Sequence, residues 1–336
     1  MTGVSEDRPA YSIVLPVFNE EATLPELVRR LEELLGRLDG PSEVILVDDG
    51  SSDQSYVLML AAREADERFK VLRLSRNFGH QVAITAGIDV AAGDAVIVMD
   101  ADLQDPPEVV VELAERWREG YDVVYGVREE RTGDNRFKKA TASGFYRVFR
   151  RLSEVDVPLD AGDFRLVDRR ALEAFKTMRE SNRYVRGMFG WIGFRQGEVR
   201  FQRDERYAGE TKYPLTKMVR FATDGIVSFS SAPLRLALNV GFVVSALSFL
   251  LGIVFLVSKL AGLYSVPGLA SVAVLVAFLG GIQLLVLGVM GEYIARIHDE
   301  VKGRPLYLVR DAHGLSPVDE WAHLSRERLR ETEPKP

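Results

Sequence analysis

The chain has 336 residues, 47% of them hydrophobic, a formal net charge of −6 at pH 7 and no cysteine. That length holds one large α/β domain and a smaller region, and the acidic balance argues against a general nucleic-acid binder, so no nucleic-acid partner is expected. The missing cysteines exclude disulfides, thiolate-bound zinc and iron–sulfur clusters, fit a reducing compartment, and leave oxygen and histidine as the only metal ligands.

In chain order, Met1 to Ala10 is polar and offers no apolar core for a cleavable signal peptide, so the first domain is expected to stay on the side where it is made. Five short apolar runs then predict strands at Tyr11–Val17, Glu43–Asp48, Phe69–Leu74, Ala95–Asp100 and Asp122–Gly126. Between them, apolar residues at helical spacing (Leu24, Leu27, Val28, Leu31, Leu34, Leu35) predict a first helix, and further helices are predicted at Tyr56–Asp66, His80–Ala92 and Pro107–Glu119. Ser51, Ser52 and Asp53 offer capping oxygens, and Asp105-Pro106-Pro107 puts proline where a first turn tolerates it. This alternation predicts an α/β fold with a doubly wound, mostly parallel sheet. Polar residues gather just beyond the strand ends: Asn19 and Glu20, then Asp48 and Asp49, then Asp100 and Asp102. Open α/β sheets bind ligands at that edge. No Gly-x-Gly-x-x-Gly follows the first strand, which argues against a dinucleotide dehydrogenase, and neither a P-loop nor a Gly-x-Ser-x-Gly occurs.

Lys138 to Leu152 alternates basic and apolar residues in the manner of a basic amphipathic helix, either packed on the domain or lying on a membrane surface. Charge is dense as far as Arg235, absent from Leu236 to Gly291 except at Lys259, and dense again from Glu292. The uncharged stretches Leu236–Ser258 and Gly268–Gly291 are each long enough to cross ~30 Å of hydrocarbon. Arg220 and Arg235 precede this C-terminal two-helix transmembrane hairpin, and Arg296, Lys302 and Arg304 follow it. By the positive-inside rule, both flanks and the catalytic domain lie in the cytoplasm. The expected organisation is a cytoplasmic catalytic domain at 1–220, a juxtamembrane segment at 221–235, membrane helices at about 236–258 and 268–291, and a cytoplasmic tail at 292–336. Gly280, Gly281 and Gly288 offer small-residue surfaces for homo-oligomer formation.

Asp100-Ala101-Asp102 is the sharpest local signal, because two carboxylates one residue apart at a strand end can face a hard divalent cation. Asp48-Asp49-Gly50-Ser51-Ser52 stands at a second strand end, where its carboxylates can accept hydrogen bonds from a ribose or base, or cap a helix. The four histidines lack paired metal spacing, and His80 reads as a helix-start residue rather than a catalyst.

Together, Pro16-Val17-Phe18-Asn19-Glu20, Asp48-Asp49-Gly50-Ser51 and Asp100-Ala101-Asp102-Leu103-Gln104-Asp105-Pro106-Pro107 resemble the inverting, GT-A-fold glycosyltransferases of family two. Asn77-Phe78-Gly79-His80, Ala161-Gly162-Asp163-Phe164-Arg165, Arg183-Tyr184-Val185-Arg186-Gly187 and Arg206-Tyr207-Ala208-Gly209-Glu210-Thr211-Lys212-Tyr213 narrow the resemblance to the dolichol-phosphate-mannose-synthase-like branch, above all the bacterial bactoprenol glucosyltransferases with a two-helix anchor. The resemblance implies transfer of a hexose from a nucleotide sugar to polyprenyl (undecaprenyl) phosphate, with Mg2+ or Mn2+ as cofactor, in a bacterial plasma membrane. UDP-glucose is the favoured donor; other UDP-sugars, GDP-mannose or an aminopentose donor are the alternatives.

By the same resemblance, Pro16, Asn19, Glu20, Asp48 and Asp49 contact the nucleoside, and Asp100, Asp102 and Gln104 hold the metal and the donor diphosphate. Arg128 and Arg136 face the transferring site and the lipid phosphate, while Arg206 and Lys212 close over the donor phosphates. Ala140 stands where relatives carry a serine near the acceptor phosphate. A non-catalytic, membrane-tethered nucleotide-sugar sensor is the competing reading, and the intact acidic triplet and acceptor-side arginines argue against it. A processive polysaccharide synthase would need more membrane spans.

Overall fold

A computed structural model describes residues 8–128, 161–202, 232–261 and 269–315. They fall into two compact units, one holding described residues 8–128, 161–202 and 304–315, the other 232–261 and 269–303.

The first unit is built on an eight-stranded sheet. Its strands are β1 (Tyr11–Val17), β2 (Ser42–Asp48), β3 (Phe69–Leu74), β4 (Ala95–Val98), β5 (Val123–Arg128), β6 (Ala161–Asp168), β7 (Gln196–Phe201) and β8 (Val309–His313). Their order is β7-β5-β6-β4-β1-β2-β3-β8. The run β4-β1-β2-β3 is parallel, as the alternation of strands and helices predicts. The sheet as a whole is mixed: β6 inserts antiparallel between β4 and β5, β7 runs parallel to β5, and β8 closes antiparallel on β3. Every residue of β1 is buried, the mark of a strand covered on both faces.

The helices of this unit are α1 (Leu24–Leu35), α2 (Ser55–Ala65), α3 (His80–Val90), α4 (Val110–Arg118), α5 (Arg169–Thr177) and α6 (Val185–Trp191), with a 3-10 turn at Pro107–Val109 leading into α4. Leu24, Leu27, Leu31, Leu34 and Leu35 line the buried stripe of α1, each contributing about 1.5–3 kcal/mol on leaving water. α3 lies close on the sheet because Gly87 has no side chain; a Cβ there would collide with Val14 of β1 and Val47 of β2. Its first residue, His80, is thereby held at the carboxyl edge of the parallel strands.

The second unit contains α7 (Ala232–Leu260) and α8 (Leu269–Val301). Both are long and apolar enough to cross a membrane: Leu234–Leu251 has mean hydropathy 1.9, Phe278–Val301 has 1.6, and none of either stretch is buried. α8 has 33 residues, a length of about 50 Å at 1.5 Å per residue, and it continues as a helix beyond the end of the uncharged stretch at Gly291, through Glu292, Arg296 and Asp299.

Candidate active site

The loops after β1 and β2 are laced together. Asn19 adopts a left-handed backbone (φ 55) that asparagine tolerates better than most residues. Its N–H donates to Ser51 Oγ at 3.0 Å, and its Oδ1 accepts from the Ser52 N–H at 2.9 Å. The Glu20 N–H donates to Ser55 Oγ at 2.8 Å, which ties the same loop to the start of α2. Asp48 is fully buried: Oδ1 accepts from the Ser51 N–H at 2.9 Å, and Oδ2 lies 3.0 Å from Arg73 Nε. Asp49 turns towards the loop before α3, accepting from the N–H groups of Phe78 (2.7 Å) and Gly79 (2.9 Å). Burial raises Asp49 from its ordinary value in spite of those two donors. Gly50, at φ 75, passes so close to this loop that a Cβ would meet the backbone of Arg76 and Asn77 at 2.7 Å. Glycine is required there by both conformation and space.

Next to these loops lies the turn after β4. Leu103 is left-handed (φ 58), an uncommon state for a leucine, and Asp102 Oδ1 accepts from the Gln104 N–H at 3.1 Å. Asp105 is fully buried and faces Arg128, whose Nη2 lies 3.2 Å from each of its oxygens. Asp100 lies 3.3 Å from His80 Nε2, and the same nitrogen is 3.2 Å from Oδ2 of Asp163 on β6. Asp163 also receives Arg186 through Nε at 2.9 Å and Nη2 at 3.0 Å. Beneath it, Arg165 is wholly buried, donates to the backbone oxygens of Asp163 and Gly162, and lies over the rings of Tyr125 and Phe189.

This geometry separates the carboxylates. Burial pushes Asp100 up to about 6, and His80 beside it only partly offsets this. Burial acts on Asp163 in the same direction, but the hydrogen bonds from His80 and Arg186 outweigh it and hold the group well below the usual carboxylate range. For His80, burial disfavours the charged form; Asp163 and Asp100 reverse the sign, so the imidazole is raised above its ordinary value. His80, Asp100 and Asp163 offer ligand atoms all within 4.8 Å of one another.

A continuous network therefore runs from Asn19 through Ser51, Asp48 and Asp49 to the loop before α3, and on through His80 to Asp100, Asp163 and Arg186. Of the residues singled out in the sequence, Asn19, Glu20, Asp48 and Asp49 belong to the two laced loops, and Asp100, Asp102 and Gln104 share one turn. Pro16 sits within β1 opposite Val47. Arg128 ends β5 against Asp105. Arg136, Arg206 and Lys212 lie outside the described residues, as does the segment Lys138–Leu152. Sequence reasoning gave His80 only a helix-start position, and gave no role to Asp163, Arg186, Asp105 or Arg73. A signal for two of these existed: Asp163 is a charge set between glycine and phenylalanine in a stretch that becomes a buried strand, and Arg186 sits in an otherwise apolar helix.

The model of glycosyl transferase family 2 matches residues 12–175. The chain is 48% identical over 305 residues to the uncharacterized glycosyltransferase YkcC of Bacillus subtilis, covering 91% of this chain and 94% of that one. It is 39% identical over 306 residues to the SfII prophage-derived bactoprenol glucosyl transferase of Shigella flexneri, covering 91% of this chain and 99% of that one. Among solved structures, glucosyl-3-phosphoglycerate synthase of Mycobacterium tuberculosis superposes with TM-score 0.45 at 20% identity, over 66% of this chain and 77% of that one. With relatives this similar along nearly its whole length, the chain belongs to glycosyl transferase family 2 and is a glycosyltransferase.

Proposed function

We propose that this glycosyltransferase moves glucose from UDP-glucose to undecaprenyl phosphate, with inversion, at the cytoplasmic face of a bacterial plasma membrane. The observation that carries the acceptor and the sugar is the 39% identity, over 91% of the chain, to a protein named for bactoprenol glucosyl transfer. The two long apolar helices support a membrane location, and the basic residues flanking them support the cytoplasmic side.

The donor diphosphate calls for a divalent cation, Mg2+ or Mn2+. Asp100 and Asp102, with Gln104, are the residues that would hold it. The fit rests on Asp100 Oδ1, a buried carboxylate oxygen with no hydrogen-bond partner among the described residues. Asp163 suits the role less, since both of its oxygens are taken by Arg186. When bound, such an ion stabilises charge on the departing nucleoside diphosphate.

The acceptor removes the need for a general base. A phosphate monoester has a second pKa of about 6 and is largely dianionic at neutral pH. Its oxygen attacks the anomeric carbon as the bond from that carbon to the donor phosphate breaks, and the nucleoside diphosphate leaves with the electron pair. The difficulty is bringing two anions together, and Arg128 and Arg136 screen and orient the lipid phosphate. Pro16, Asn19, Glu20, Asp48 and Asp49 form or support the nucleoside side, and Arg206 and Lys212 cover the phosphates.

Full-length protein in detergent, given undecaprenyl phosphate and a panel of labelled nucleotide sugars, should label the lipid from UDP-glucose only, and Asp102→Asn should abolish most of that transfer while leaving the thermal transition intact. Labelling from GDP-mannose alone would replace the donor, and transfer by Asp102→Asn at the wild-type rate without added metal would reject the cation site.

A further inference from the structure

The chain after α8 re-enters the catalytic unit. β8 pairs antiparallel with β3, His313 opposite Val71 and Asp311 opposite Arg73. The Ser75 N–H donates to the Leu308 carbonyl at 2.8 Å, and Tyr307 donates to Asp89 of α3 at 2.8 Å. His313 Nε2 lies 3.1 Å from Tyr56 Oη on α2, and the Arg73 guanidinium sits 4.0 Å from the centroid of that tyrosine ring. Arg73 Nε is in turn 3.0 Å from Asp48 Oδ2.

Asp48 has no exposed surface, so it acts on a ligand through what it holds. Its Oδ1 fixes the Ser51 N–H, and Ser51 Oγ receives the Asn19 N–H. The Arg73–Asp48 contact is an ion pair without hydrogen-bond alignment, since neither Nε nor Oδ2 has a hydrogen-bond partner among the described residues. An unaligned ion pair leaves the guanidinium to be oriented by its other contacts, and the Tyr56 ring, 4.0 Å away, is one of them. The ring is in turn held by the strand that follows the apolar helices.

We propose that Tyr56, Arg73 and His313 are positioning residues for the nucleotide-sugar subsite, so that β8 sets the geometry of the β1 and β2 loops through Tyr56, Arg73 and Asp48. This rests on the donor reading given under Proposed function. It adds that the far end of the chain tunes donor affinity and leaves the lipid phosphate untouched.

The test uses full-length protein in detergent, with UDP binding measured by calorimetry and transfer from UDP-glucose measured at varied donor and lipid. Tyr56→Leu should weaken UDP binding and raise donor KM about tenfold, with kcat and lipid KM unchanged, and Tyr56→Trp should restore most of the loss. Tyr56→Phe and His313→Ala should each raise donor KM about threefold, and the double variant should be no worse than either single, because both remove one interaction. Tyr307→Phe, which touches the same return segment but not the relay, should lower the melting temperature without changing UDP affinity. Equal losses in kcat and both KM values, or unchanged UDP affinity in folded Tyr56→Leu, would overturn the relay. Should Tyr56→Leu fail to fold, the additive or absent effect of Tyr56→Phe and His313→Ala decides against it in the same way. A wild-type chain that binds no UDP removes the donor reading itself, whereas wild-type binding with unaltered variants removes only the relay.

Discussion

Asp100 carries a conflict between stability and chemistry. Its side chain is 24% exposed, yet Oδ1 is buried without a hydrogen-bond partner among the described residues, and burial raises its pKa to about 6. A carboxyl whose folded value lies above its unfolded value contributes most below the unfolded pKa, and folding is penalised as pH rises through the interval from about 4 to about 6. In chelator-treated protein, Asp100→Asn should therefore raise the melting temperature at pH 7, by the equivalent of about 1–3 kcal/mol, and the advantage should vanish below about pH 4. The same variant should lose transfer. Added Mn2+ should raise the melting temperature of the wild type and not that of the variant; equal stabilisation of both would remove Asp100 from the cation site. Asp163 shows the opposite sign: its depressed pKa means that its contribution is present above the unfolded carboxylate value and is lost as pH falls through the folded one.

At the scale of elements, α3 shows what a sequence reveals and what it hides. Its start at His80 and its place after β3 were legible from apolar spacing, and so were β1 to β4 to within two residues. The contacts of His80 were not, because they depend on β6, whose partner Asp163 lies 83 positions away. β6, β7 and β8 were not foreseen as strands at all; antiparallel insertions such as β6 and β8 leave no trace in a β-α alternation, and β7 lies beyond the alternating region. The candidate site was legible in the same proportion: the three strand-end carboxylate groups could be read, while Asp163, which with Asp100 raises the pKa of His80, and Arg186, which holds Asp163, required the fold. Gly87 gives this element a direct test. Gly87→Ala should gain up to about 1 kcal/mol of helix propensity but lose about 1–3 kcal/mol by overpacking against Val14 and Val47. Net destabilisation is expected in thermal melts, with partial recovery in the Gly87→Ala/Val14→Ala double variant. A melting temperature at or above wild type would show that α3 is free to shift on the sheet.

For the whole molecule, the proposed topology follows from two apolar helices separated by residues 261–268. A reporter inserted near Ser265 should be protected from the cytoplasm, and one fused after Pro336 should be accessible there. Cytoplasmic access at both positions would exclude a hairpin that crosses the bilayer. β8 imposes a further condition, because it completes an edge of the catalytic sheet yet follows both apolar helices in the chain. During synthesis, β1 to β7 leave the ribosome first and can begin to pair, while β3 presents an open edge to other chains. That edge closes only after both apolar helices have been translated. The catalytic unit is thus finished last: a chain interrupted before residues 309–313 keeps an adhesive strand exposed, and only one translated past both apolar helices can gain the last strand of its sheet.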